Sequence, residues 1–215
     1  MSYFSAIKKP FIKPDRFIIG CSMYLIPYLN ILTQFFAIGY MSRTAKNTMK
    51  GIEDLPEWIH WLELLTKGLF VFLIVLLYSI PLFIVLLFGI GNKLFGDLAF
   101  SRYINWNDLD LSTYAFIVLS ILIFYFLPSA IMNFLKHERF SAAFEFGKII
   151  RDALIREYFI TVVISFVYVS IMIILVKNIA VFFSEITVIR LIINSIVQFL
   201  VGMTLFSLFS EIYKK

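Results

Sequence analysis

The chain has 215 residues, 61% of them hydrophobic and only 15% charged, with a formal net charge of +5. Ordinary soluble domains carry roughly 45–50% apolar and about 25% charged residues, so a single soluble core cannot hold this excess. One cysteine, Cys21, excludes an intrachain disulfide and leaves the redox state of the compartment open.

The apolar residues fall in long runs rather than in the periodic stripes of a globular helix. That pattern describes an all-α, polytopic helical membrane protein, read as one membrane domain over residues 1–215. An N-terminal arm with Lys8, Lys9, Lys13 and Arg16 precedes the first run, residues 17–40. This run is long enough to cross a bilayer, but "LIPYLN" interrupts it. Pro27 lacks a backbone donor and clashes with the turn before it, so the helix must kink or stop there. Two arrangements stay open: a re-entrant segment that bends at Pro27 and returns, or a kinked fifth span. A cleaved signal peptide is disfavoured by the length of the run, by Pro27 and by the lack of a small-x-small site.

The connection after it, "GIEDLPEWIHWLELLTKG", offers Asp54 as a helix cap with Glu57 three residues on. It predicts a short in-plane helix with Leu55, Trp58, Trp61, Leu62 and Leu65 on one face. Trp58 and Trp61 would anchor it at the headgroup level. Residues 68–91 then form the first full span, at about the 20 apolar residues a bilayer core requires. The next connection, from 92 to 112, carries Gly, Asn and Asp turn formers and the aromatic residues Phe95, Phe100, Tyr103 and Trp106, suited to an interface. Residues 112–133 are the second span. A second long connection, "HERFSAAFEFGKIIRDALIREYF", predicts another in-plane helix, capped by Ser141, with Phe140, Phe144, Ile150 and Leu154 opposite Glu145, Arg151 and Asp152. Residues 158–176 and 187–209 complete four full spans. The order of run, basic turn, in-plane helix and span recurs, which suggests a weak internal repeat of 17–91 and 112–176.

Lysine and arginine concentrate in cytoplasmic loops. In the re-entrant arrangement 15 of the 19 basic residues share the side bearing the N-terminal arm, the two long connections and the tail. Those elements, the N-terminus and the C-terminus would then be cytoplasmic in a cell membrane. The positive charge finds its use there, against anionic headgroups, and no nucleic-acid partner is required.

In this order "KKPFIKPDRF", Gly20, "LIPYLN", "IGY" with Arg43 close behind, "LPEW", Trp61 and the later "SAAFEFG" resemble the archaeal and bacterial multi-pass membrane family catalogued as domain of unknown function 4013. The resemblance covers nearly the whole chain. It implies a polytopic helical membrane protein and brings no assigned biochemistry. Members often carry acidic residues between the two tryptophans, where this chain has Ile59 and His60, so no role for His60 is inherited.

Chemistry-bearing patterns are sparse. His60 and His137 have no companion ligands at metal spacing, no nucleophile has a positioned base, and phosphate-binding glycine loops are missing. The sequence points to no cofactor, no metal and no catalytic residue. Within the last span, Arg190, Asn194 and Gln198 follow at four-residue intervals on one helical face, continued by Gly202. Polar groups at bilayer depth are functional candidates, yet amides also join membrane helices. Arg190 lies near the external end and reads as an interfacial anchor, with Glu185 a candidate partner. Asn194 and Gln198 are expected to meet Asn30 and Gln34 beside the break at Pro27. The functional expectation is a non-enzymatic scaffold, assembly factor or accessory subunit, pairing with a second copy or another membrane protein. The alternative is a small transporter or channel with a polar cavity lined by Asn30, Gln34, Asn194 and Gln198.

Overall fold

The computed structural model describes residues 3–25, 30–87, 111–182 and 187–214. Helix is the only regular structure among them. A short α1 (Tyr3–Lys8) runs through a 3-10 turn into α2 (Pro14–Leu25), and α3 (Asn30–Met49) follows. The four long apolar helices are α4 (Trp61–Val85), α5 (Leu111–His137), α7 (Arg156–Phe182) and α8 (Thr187–Ile212). All four predicted spans are present, although residues 88–91 of the first lie outside the described residues; α4, α5 and α8 extend theirs toward the end that carries the connections, and α7 chiefly toward the other. α5 runs unbroken through Pro128. Pro27 and the 92–110 connection lie outside the described residues.

α2 has 12 residues and is about 18 Å long, too short to cross a hydrocarbon core of about 30 Å. α2 and α3 lie side by side and antiparallel: Thr33 near the start of α3 donates to the carbonyl of Met23 near the end of α2. Arg16 at the other end of α2 and Arg43 in the second half of α3 both reach the 55–59 segment. The N-terminal run therefore contains two helices packed antiparallel rather than one straight one.

α3, the least apolar of the long helices, occupies the centre. It packs along α4 on one side and α8 on another; α5 flanks α4, α7 flanks α8, and α2 fills the space beside α3 and α8. Glycines set the tightest contact. A Cβ on Gly39 would lie 1.9 Å from the Leu64 carbonyl oxygen, and one on Gly68 1.8 Å from that of Phe35. The two backbones touch because neither residue has a side chain, the small-residue packing that membrane helices favour.

The first connection corrects one expectation. Residues 50–60 are not helical, and α4 starts only at Trp61, behind His60 in the left-handed region (φ 58°). Asp54 still accepts from the Leu55 N–H at 2.9 Å, but no helix follows it. Two causes combine. Pro56 pushes Leu55 away from helical geometry, and side chains from other helices take the segment's carbonyls. Arg16 donates to Leu55, Tyr40 to Pro56 at 2.9 Å, and Arg43 to Ile59 at 2.8 Å. Residues 61–67, placed by the sequence on an in-plane helix, are instead the first turns of a span.

The second connection holds its helix, shifted. A 3-10 turn covers Phe140–Phe144, and α6 spans Phe146–Ala153 without a cap from Ser141. Its covered residues are Ile149 and Ala153, whereas Ile150 and Leu154 are exposed. Here too side chains seize carbonyls: Tyr78 donates to Ala143 at 2.7 Å, Asn133 to Ala142 at 2.6 Å and Tyr125 to Ala153 at 2.7 Å. Each capture satisfies an acceptor that regular structure leaves open.

Both connections, α1 and the end of α8 gather at one end of the bundle, called here the connection face. Ion pairs knit it together: Lys13–Asp54 at 2.8 Å, Lys214–Glu53 at 3.6 Å, and Glu138 between Lys46 and Lys67. The Lys46 ammonium holds the Glu138 carboxyl below the usual carboxylate range. A depressed carboxyl stabilises the fold above its unfolded value of about 4.3 and loses that contribution as pH falls through its folded value. Titration in detergent from about pH 7 into that range should lower the thermal midpoint of the wild type slightly more than that of Glu138→Gln. The pair is half exposed, so the difference should not exceed about 1 kcal/mol.

Burial is uneven along the helices. In α4 it takes in Leu64, Gly68, Val71 and Ile74, in α5 the continuous block from Ser129 to Leu135, and in α7 Tyr158, Thr161 and Ser165. All lie in the halves next to the connection face. The far halves stand apart, and only 11% of the apolar window of α7 is covered by the rest of the chain.

Candidate functional site: the polar face of the last span

α8 packs through a different face from the one its amides suggest. Ser195, Phe199, Met203, Ser207 and Ser210 are buried, one residue round the helix from Asn194 and Gln198. Phe199 is the centre of this contact. Its ring lies against Gly20, where a Cβ would come within 2.1 Å, and its neighbours are Phe17 at 5.7 Å and Tyr40 and Trp58, each at 6.4 Å between centroids. Gly202 abuts Met41 of α3, so this member of the predicted stripe does serve packing.

Asn194 and Gln198 are exposed. Neither bonds Gln34, which is half-buried on α3, and neither has a hydrogen-bond partner among the described residues. The expected meeting of amide pairs is thus not formed by Gln34; the Asn30 side chain and Glu185 lie outside what is described. Arg190, one turn farther out on α8, is exposed as well. Both amides instead line an open groove of about 470 Å³ between the far halves of α7 and α8, with Tyr24 at the end of α2 beside it. Lys177 stands at its outer end, and the remaining walls are mainly valine, isoleucine and methionine. Beneath the groove the two helices are joined by the Tyr168 hydroxyl and Thr204 Oγ1 at 3.3 Å.

Trp58 is covered by the protein itself. It is 8% exposed, stacked flat on Tyr40 at 4.0 Å, and its Nε1–H donates to the Arg16 carbonyl at 3.0 Å. Trp61, 43% exposed, meets Phe36 edge to face at 5.7 Å and stacks on Trp58 at 5.8 Å between centroids.

Several carboxylates of the connections are held in ion pairs. Glu63 accepts from Arg43 at 2.7 Å and Lys67 at 2.6 Å, Glu57 lies 3.5 Å from Arg16, and Glu145 lies 3.6 Å from Arg139. His137 bonds the Asn133 carbonyl at 3.0 Å and lies 2.9 Å from the Lys148 ammonium. Among the described residues no three His, Cys, Asp or Glu side chains converge as a metal-ligand set. A cleft of about 620 Å³ at the connection face collects Glu53, Glu157, Glu211 and Lys214. Lys9 is buried nearby and its Nζ donates to Thr48; burial holds its pKa below the usual lysine value, against the pull of Glu211 and Glu53. This cleft is not legible in the sequence, because its residues come from four separate segments.

No curated protein and no solved structure matches the chain. Residues 22–183 match the family model described as "Protein of unknown function (DUF4013)", which takes in α3 to α7 and leaves α1, most of α2 and α8 outside. The chain is a four-span helical membrane protein belonging to that family.

Proposed function

We propose that this protein is a non-enzymatic component of the cell membrane, a scaffold, assembly factor or accessory subunit, with its connection face in the cytoplasm. The observation carrying this reading is how its charged groups are used. Asp54, Glu57, Glu63 and Glu145 in the two connections are engaged in ion pairs that tie the connections to neighbouring basic groups. Among the described residues the amides of Asn194 and Gln198 carry no hydrogen bond, and the described lining of the groove that they share includes no carboxylate for proton or sodium coupling. The cytoplasmic orientation follows from the concentration of Lys and Arg on the connection face, where anionic headgroups are the natural lipid partner. A second copy or another membrane protein is the partner for the uncovered spans.

Because the groove reaches Asn194 and Gln198, transport is the competing reading. In proteoliposomes the wild type should give no solute flux above empty vesicles; selective flux that Asn194→Leu abolishes would overturn the scaffold. Orientation is tested separately in a Cys21→Ser background. Ser5→Cys should label only after the membrane is opened, and labelling from outside intact cells refutes a cytoplasmic N-terminus.

A further inference from the structure

The groove between α7 and α8 combines an apolar trough with polar groups at one end. Along α7 it runs from Val169 to Lys177, about 12 Å at 1.5 Å per residue. α8 is antiparallel, so Asn194 lies level with Lys177, and Gln198 lies one turn deeper, beside the valines. Arg190 continues the same face of α8 outward by another turn. Lys177 and Arg190 have no acidic partner among the described residues, and neither amide has a hydrogen bond. In hydrocarbon such amides are costly unless something supplies acceptors.

Chemistry selects the occupant. An apolar partner helix, whose own backbone groups are already paired, offers no acceptor to the Asn194 and Gln198 NH₂ groups and no anion to Lys177 and Arg190. A single acyl chain is slender enough to lie along the trough. The ester carbonyls of a glycerophospholipid sit at the hydrocarbon boundary and accept from the Asn194 and Gln198 NH₂ groups. Its headgroup then lies outward, where the long stems of Lys177 and Arg190 carry their charges. We infer that the groove is a binding site for one anionic phospholipid, drawn from the leaflet on the side opposite the connection face.

The test uses the full chain in nanodiscs of equal parts phosphatidylglycerol and phosphatidylcholine, with retained lipid read by native mass spectrometry after detergent release. The wild type should keep one phosphatidylglycerol in preference to phosphatidylcholine. Lys177→Gln should reduce that retention about fivefold, the worth of one basic residue at an anionic surface. Adding Asn194→Leu and Gln198→Leu should remove it, and Ser120→Ala on α5 should leave it unchanged. Equal retention of both lipids by the wild type overturns the inference, as does undiminished retention by the triple variant. So does a dimer, or a bound protein, that shields position 194 from cysteine labelling. If Lys177→Gln misfolds, Lys177→Arg keeps the charge and must retain lipid as the wild type does; failure of that folded variant also counts against the site.

Discussion

Replacing Gly68 by alanine should destabilise the protein by about 3 kcal/mol, the upper end of the range for overpacking a filled contact. The new methyl would sit 1.8 Å from the Phe35 carbonyl oxygen, roughly half an ordinary contact distance, and the obstacle is backbone rather than a side chain that can swing away. α3 and α4 must therefore separate, along the most extensive helix pair in the molecule. Against a total stability of about 5–15 kcal/mol this is a large fraction. The thermal midpoint in detergent should fall by about 6–12 °C, and Gly68→Leu should yield no folded protein by size-exclusion chromatography. Gly39→Ala should behave alike, since its methyl would meet the Leu64 carbonyl at 1.9 Å. The double variant should lose less than the sum, because once the helices have parted the second methyl finds room. An unchanged midpoint for either alanine would mean that the two backbones are not in contact.

Trp58→Ala should cost about 3–5 kcal/mol, as for other large buried aromatics, whereas Trp61→Ala should cost less than about 1 kcal/mol. Trp58 fills the space between Tyr40 and Phe199 and ties the first connection to the start of α2. Truncating it opens a cavity inside the aromatic cluster and removes the donor to the Arg16 carbonyl. Trp58→Phe should fall between, keeping the stack while losing a hydrogen bond worth about 1 kcal/mol. Chemical denaturation followed by far-UV circular dichroism distinguishes the two tryptophans. Equal, small losses would return both to the interface, where the sequence put them.

The four spans were legible because lipid, unlike a folded core, asks nothing of a helix except that it be apolar for long enough. The antiparallel packing of α2 and α3 is compatible with the arrangement that the charge distribution favoured, a segment that comes back to its own side. Residues 54–60 misled for a physical reason. Asp54 and Glu57 are spaced like a capping box, but Arg16, Tyr40 and Arg43 arrive from well outside that window and take the carbonyls a helix would have used. Periodicity cannot report partners so distant in sequence. The packing face of α8 was misjudged by giving weight to its most polar residues. Its contacts rest on Ser195, Thr204, Ser207 and Ser210 together with Gly202, and that ladder of small residues was a readable signal. Gly39 and Gly68, glycines inside helical patterns, carried the same message for α3 and α4.

Loops are ordinarily where a chain tolerates lengthening, and a permissive site for a tag or an inserted peptide is sought there first. The 50–60 segment reverses that expectation. It has no helix or strand, yet the carbonyls of Leu55, Pro56 and Ile59 are each held by a side chain from another helix, so one residue added between them would pull the later grips out of register. In this family member the segment without secondary structure is as intolerant of insertions as a core strand, and variation in length belongs elsewhere on the chain.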